Sequence, residues 1–265
     1  VLLDRSGHAL LDASRSPRRY SSFDDIPPLV AASLLYIENR ELLDQRLPHR
    51  NPALEWQRLA YALGMAGLKT ISPSRKAPGA STLATQMEKF RHSPGGRTRN
   101  AADKLRQMAA ASLRAYLDGP ETLAARQRIL LHYLNSVPLG AALGWGEVNG
   151  LGDGLSAWFG ADASGVNARL REVGLPVQAG AAATPSQALA YRRVLALLIG
   201  LRRPTLLASG SRQVLDRLVD RHLRLLTSAG VISPALRDAA TGLELGFVTR
   251  ATPSTITPAD RKGAD

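Results

Sequence analysis

Leu- and Ala-rich stretches built on strong helix formers recur along most of the chain, and long alternating runs of β-branched residues are absent. Such a chain has little to offer a sheet and must close its core helix on helix, which predicts a mainly α fold. Apolar residues make up 45% of the sequence but aromatics only 5%, so that core is made chiefly of Leu, Ala and Val. The 265 residues suffice for one large domain or two small ones, with a substantial core in either case.

Thirty-four Lys and Arg against 22 Asp and Glu give a net charge of +12. The balance suits a nucleic acid, an anionic membrane surface or an anionic small substrate. The excess is mostly arginine, whose planar fork favours bidentate phosphate contacts. The chain has no cysteine, which excludes disulfides, zinc–thiolate sites and a cysteine nucleophile. No apolar run reaches the ~18–20 residues of a membrane-spanning helix, and no signal peptide is visible. The sequence begins at Val1 without a methionine, which leaves room for an upstream anchor.

The opening segment, Val1 to Asp4 into a turn at Ser6-Gly7, reads as extended, followed by an arginine-rich link. Pro27-Pro28 opens a helix through Ile37, with proline where its missing donor costs nothing. Helices are predicted over Leu54–Leu68, Ser81–Arg91, Asp103–Leu117, Ala125–Leu134, Gln187–Leu201 and Arg212–Thr227, with a short one starting at Ser233-Pro234. In the third of these Leu105, Met108, Ser112 and Tyr116 share a stripe. Thr70–Pro78 and His92–Asn100 read as loops. The six glycines between Gly140 and Gly154 predict an irregular passage rather than a regular element. Ser164–Ala183 reads as a Gly/Ala-rich surface excursion, and the tail from Thr249 as disordered.

The chemistry-bearing residues gather between Glu38 and Gln107. Glu38 ends an apolar helix beside Tyr36 and Ile37, where desolvation would raise a carboxyl toward the range of a working base. Taken alone, a surface glutamate paired with Arg40 or Arg46 is the simpler reading. Gly79 and Ala80 permit close backbone approach, and Ser81 is placed to cap the next helix. Gln86 and Lys89 project from one face of that helix. Arg91, Arg97, Arg99, Lys104 and Arg106 then form a dense cation group. Apart from Phe90 it lacks interleaved aromatics for base stacking, so a diphosphate clamp fits better than a nucleic-acid groove. The five histidines show no metal-ligand spacing, and no Gly-x-Ser-x-Gly elbow, Walker loop or dinucleotide fingerprint is present.

In this order, the motifs resemble the peptidoglycan glycosyltransferase domain of class A penicillin-binding proteins and monofunctional transglycosylases, glycosyltransferase family fifty-one. Asp25-Ile26-Pro27-Pro28 is similar to the family's Ile-Pro-Pro step, and Ile37-Glu38-Asn39-Arg40 to its Glu-Asp-Arg motif. Gly79-Ala80-Ser81-Thr82-Leu83-Ala84-Thr85-Gln86-Met87-Glu88-Lys89 resembles Gly-Gly-Ser-Thr-Ile-Thr-Gln-Gln-Leu-x-Lys. Arg97-Thr98 and Lys104-Leu105-Arg106-Gln107 fall on Arg-Thr and Arg-Lys-x-x-Glu. Tyr133-Leu134-Asn135, Gly140, Gly146-Glu147-Val148, Trp158-Phe159-Gly160, Leu197–Leu201 and Pro204 follow the rest of the pattern.

The resemblance implies a mainly α, two-lobed, lysozyme-like fold over residues 1–248, with a small membrane-associated jaw and a disordered tail over 249–265. It implies polymerisation of a lipid-linked disaccharide-peptide precursor onto a growing glycan strand, with release of undecaprenyl diphosphate, at the periplasmic face of the bacterial cytoplasmic membrane. Glu38 would be the general base. Lys89, Arg97 and Lys104 would neutralise the diphosphate, while Ser81, Thr82, Gln86 and Asn135 would bind substrate. Gln107 occupies the second acidic position. No cofactor is required, although Mg or Mn would be compatible with the diphosphate. The expected partners are the precursor, the glycan strand, the membrane surface and other cell-wall synthesis proteins, and not nucleic acid.

Several positions depart from the pattern. Gln107 cannot act as acid, base or metal-binding anion, though it can hydrogen-bond and orient Lys104. Asn39 replaces aspartate, Leu42 phenylalanine and Asp103 arginine, and His49 comes late for the family's His-x-Gly. Glu88 and Glu147 are the candidates to replace the missing carboxylate. Two other classes stay open: a catalytically impaired relative that binds the lipid precursor or a cell-wall partner, and a lytic enzyme, for which a diphosphate clamp has no use.

Overall fold

Helices dominate the molecule, as the Leu/Ala pattern demands. The structure, a computed structural model, describes residues 2–3, 9–11, 20–54, 82–92, 101–173 and 182–248. The expectations for 55–68, 70–78, 93–100 and 249–265 lie outside the described residues. Two compact units emerge, one drawn from Val1–Ser21, Pro27–Leu29 and Asn135–Asp265, the other from Ser22–Ile26 and Val30–Leu134.

In the first unit, β1 (Leu2–Leu3) pairs antiparallel with β2 (Ala9–Leu11). A second antiparallel hairpin joins β3 (Pro138–Ala142) to β4 (Gly146–Asn149), so the glycine passage is regular where the sequence suggested it was not. The reason is local: Gly144 and Gly146 take positive φ at the turn, while Leu139, Ala142 and Val148 turn inward. The chain continues into α5 (Leu151–Phe159). A Cβ on Gly154 would lie 2.7 Å from Leu139 Cδ1 and 3.0 Å from Leu197 Cδ1, so a larger residue here would push both leucine side chains aside.

The expected surface excursion begins instead with a helix, α6 (Ala163–Val173), because Val166 and Leu170 lie one turn apart and both are buried. The central helix is α7 (Pro185–Gly200). Thr184 caps it by accepting from Gln187 N, with the Gln187 side chain returning to Thr184 N. Against it pack α8 (Arg212–Ser228), through Leu215, Val219, Leu223 and Leu226, and α9 (Pro234–Ala240), capped by Ser233. Arg192 of α7 is buried among them. Its guanidinium bonds Asp220 and Asp216 of α8 and donates to Ala240 O at 3.0 Å.

The second unit holds α2 (Leu83–His92), α3 (Ala101–Ala115) and most of α1 (Pro28–Glu38) and α4 (Leu123–Ser136). Leu34, Leu42, Leu83 and Leu130 are fully buried in it, and beside them a cluster of small residues, Ala53, Ala84 and Ala111, packs with Ile129 against it. The buried stripe of α3 is Gln107, Ala111 and Ala115, not the one anticipated, and Leu105 faces solvent. After α1, residues 39–54 run as consecutive turns, such as Leu42 N to Asn39 O at 3.2 Å and Asp44 N to Glu41 O at 3.2 Å.

Candidate active site

Glu38 stands at the C-terminus of α1 and is only 3% exposed. The surface-glutamate reading therefore fails on burial. The two arginines it would have used are also engaged elsewhere: Arg46 binds Asp44 at 3.0 Å, and Arg40 lies 4.1 Å over the Tyr36 ring. The buried position follows from sequence, because Leu29, Val30 and Leu34 drive α1 inward and the last turn follows them.

Thr82 holds the start of α2. Thr82 N donates to Thr85 Oγ1 at 2.9 Å, Thr85 N donates to Thr82 Oγ1 at 3.3 Å, and Thr85 Oγ1 donates to Thr82 O at 2.9 Å. The reciprocal pair satisfies donors that the first turn would otherwise leave unmet. Thr82 is fully buried, so its hydroxyl serves the cap. Gln86 and Lys89 follow on α2, both half-buried. The Tyr133 hydroxyl of α4 donates to Gln86 Oε1 at 3.1 Å, which fixes the orientation of the amide.

On α3, which packs against α2, Lys104 is exposed and Gln107 is buried one turn further on. Glu38, Thr82, Gln86, Lys89, Lys104 and Gln107 thus all belong to the second unit. Asn135 belongs to the first. Its amide is spent on the Tyr20 backbone, accepting from Tyr20 N at 2.9 Å and donating to Tyr20 O at 2.8 Å. Ser81 and Arg97 lie outside the described residues.

Glu88 does not join the Gln86 face. Successive residues turn by ~100° around a helix, which places Glu88 about 160° from Gln86. It is 2% exposed and receives Arg114 Nε of α3 at 2.9 Å. The pair borders a cavity of about 460 Å³ behind α2, with Ala84, Met87, Ala111 and Ile129 among its walls. Glu147 is exposed on β4 in the first unit. Glu88 is therefore a tie between helices rather than a substitute carboxylate. Among the described residues no group of three or more His, Asp or Glu is arranged to hold a metal.

Two residues have roles that the sequence did not assign. Arg126 of α4 is fully buried and grips the segment that leaves Glu38. Its Nη1 donates to Leu42 O at 2.9 Å and Asp44 O at 3.0 Å, and its Nη2 to Leu47 O at 2.9 Å. Burial pulls its pKa below the ordinary arginine value, and Arg50 pulls the same way. Thr122 adds bonds to Pro48 O at 3.2 Å and Arg50 O at 2.6 Å, and Tyr116 bonds His49 O at 2.8 Å. The other residue is Tyr133. The available signal was position: Arg126, Leu130 and Tyr133 fall on one stripe of α4, and a charged residue on an apolar stripe needs a buried partner.

The outer surface of α3 has a different character. Leu105, Leu113 and Leu117, the last just beyond the helix, are 66%, 73% and 74% exposed, with Arg106 and Arg114 beside them. Among the described residues no helix is long and apolar enough to cross a membrane.

A family model described as Transglycosylase matches residues 6–197. No curated protein matches the sequence.

Proposed function

The chain belongs to the transglycosylase family, with a peptidoglycan glycosyltransferase-type function, and from that premise we propose that it polymerises a lipid-linked disaccharide-peptide precursor into glycan strands. The observation that carries this reading is the burial of Glu38 at the end of an apolar helix, in the same unit as the Lys89 and Lys104 helices.

Glu38 takes the proton from the acceptor sugar 4-hydroxyl as its oxygen attacks the donor anomeric carbon. The bond from that carbon to the diphosphate breaks with inversion, and the undecaprenyl diphosphate leaves with the electron pair. Lys89, Lys104 and Arg97 meet the negative charge that develops on it. Gln86, held by Tyr133, and the amide of Gln107 supply hydrogen bonds that position the donor. Gln107 cannot ionise, so the clamp carries one negative charge fewer than the family pattern and depends less on a divalent cation.

The proposed setting is the periplasmic face of the cytoplasmic membrane. Exposed Leu105, Leu113 and Leu117 beside arginines support contact with an anionic bilayer surface, the arrangement of an interfacial helix. A second reading, a precursor-binding relative without turnover, draws on Gln107 alone.

The test is polymer formation in detergent from fluorescent lipid-linked precursor, with wild type beside Glu38→Gln and Gln107→Glu. Polymer from wild type that disappears in Glu38→Gln supports the transferase, with the second carboxylate dispensable. Polymer from Gln107→Glu only marks a pseudoenzyme. Three silent proteins that still bind precursor favour the binding module.

A further inference from the structure

The α4 helix reaches both parts of the proposed reaction centre that lie in the second unit. At one end Arg126 holds the carbonyls of Leu42, Asp44 and Leu47. Two hydrogen bonds relay that grip to the last turn of α1: Leu42 N to Asn39 O at 3.2 Å, and Asn39 N to Leu35 O at 2.9 Å. Glu38 sits in that turn. About two turns further along the same face of α4, Tyr133 holds Gln86 on the helix that carries Lys89.

The choice of residue is informative. A buried guanidinium is costly to desolvate, and apolar filling would stabilise the fold as well or better. Here the guanidinium reaches three separate carbonyl oxygens, and among the described residues it forms no ion pair. What arginine provides, and neither lysine nor an apolar residue can, is a rigid fork that fixes several inward-pointing carbonyls at once.

The geometry points to Arg126 as a positioning residue for the base. It sets the loop that holds Glu38, Tyr133 sets the clamp helix, and α4 thereby fixes the separation between base and diphosphate clamp. Neither side chain touches the reacting atoms. The inference rests on the reading of Glu38 as general base, so its test includes a measurement that does not need turnover.

The full chain is prepared as wild type, Arg126→Lys, Tyr133→Phe and, as a control in the other unit, Arg192→Lys. Carboxyl NMR follows the titration of Glu38, and amide exchange follows residues 39–47. Arg126→Lys is expected to move the Glu38 midpoint by about half a pH unit or more and to speed loop exchange about tenfold. Arg192→Lys should leave both unchanged. In the polymerisation assay Arg126→Lys should lower kcat about ten- to a hundredfold with KM nearly unchanged, and shift the pH profile of kcat. Tyr133→Phe should instead raise KM for the precursor and leave the Glu38 titration alone.

Arg126→Lys matching Arg192→Lys in titration and exchange overturns the inference. An unchanged KM in Tyr133→Phe overturns its clamp half, and this variant keeps the question answerable should Arg126→Lys fold poorly. A wild type that makes no polymer sinks the proposed function, while titration and exchange still decide whether Arg126 sets the Glu38 environment.

Discussion

Among the described residues each unit of the molecule buries one arginine almost completely, and the two find their partners in opposite ways. Arg192 in the first unit meets the carboxylates of Asp216 and Asp220 and ties α7 to α8 and α9. Arg126 in the second meets only carbonyl oxygens, and what it ties down is a loop. The difference follows from what each has to hold. Helices satisfy most of their own backbone, so linking them rests chiefly on side chain with side chain, with the last-turn carbonyl of Ala240 as the addition here. A run of turns leaves carbonyls pointing inward that need outside donors, and an unmet buried carbonyl is expensive. The first unit therefore spends its arginine on holding helices together, and the second on holding a candidate catalytic segment in place.

The sharpest way to break this comparison is to truncate both. Arg126→Met leaves the buried Leu42 carbonyl without its donor and strips the Asp44 and Leu47 carbonyls down to their turn bonds, and should cost about 2–4 kcal/mol by urea unfolding. Arg192→Met should cost less, about 1–3 kcal/mol, because Asp216 and Asp220 are partly exposed and can rehydrate. Equal losses would remove the distinction. Glu88→Gln is the intermediate case, an ion pair in the second unit whose arginine is half exposed. It should cost about 1–3 kcal/mol and reduce turnover only partly; complete loss of turnover with the fold intact would return Glu88 to the role of a catalytic carboxylate.

Replacing Leu113 and Leu117 together by Ser should change stability by no more than ~0.5 kcal/mol, since neither is packed. The same change should weaken binding to anionic vesicles about tenfold or more in a flotation assay. The smallest effect concerns acid. Arg46 holds the Asp44 carboxyl below its ordinary 3.8 in the second unit, and Arg237 does the same for Asp238 in the first. A depressed carboxyl contributes stability above its unfolded pKa and loses it as pH falls through the folded value. Both pairs lie at the surface and are screened, so wild-type melts taken between about pH 5 and pH 2 should decline only slightly on their account, and Asp44→Asn and Asp238→Asn should each flatten that decline by a similar small amount.

The helices were legible because Leu and Ala recur at helical spacing and Pro28, Pro185 and Pro234 mark first turns. The β3–β4 hairpin was not, since its glycines mask the inward pattern of Leu139, Ala142 and Val148. The start of α6 was hidden for a related reason: two buried residues, Val166 and Leu170, are a thin signal among Gly, Ala and Ser. Of the candidate site, Glu38 and the Gln86–Lys89 face could be read from motif and periodicity. Arg126 was harder to read, because on paper it resembles Arg128 two positions away, which is half exposed and paired with Asp118. Its one sign was the stripe it shares with Leu130 and Tyr133, which the fold turns into the unit while Arg128 faces out. The burial of Gln107 was missed because Leu105 looked like the better inward residue.

The grip on the Glu38 segment also has a history in time. Its donors, Tyr116, Thr122 and Arg126, stand between 67 and 84 residues downstream of the carbonyls they hold. α1 can wind from local bonds as soon as it is made, but the turns after it have nothing to close on until α3 and α4 have been synthesised and docked. Contacts of such separation form late and slowly, because the intervening chain must be ordered first. The base would therefore be among the last parts of its unit to acquire a fixed place, and among the first to lose it when α4 loosens.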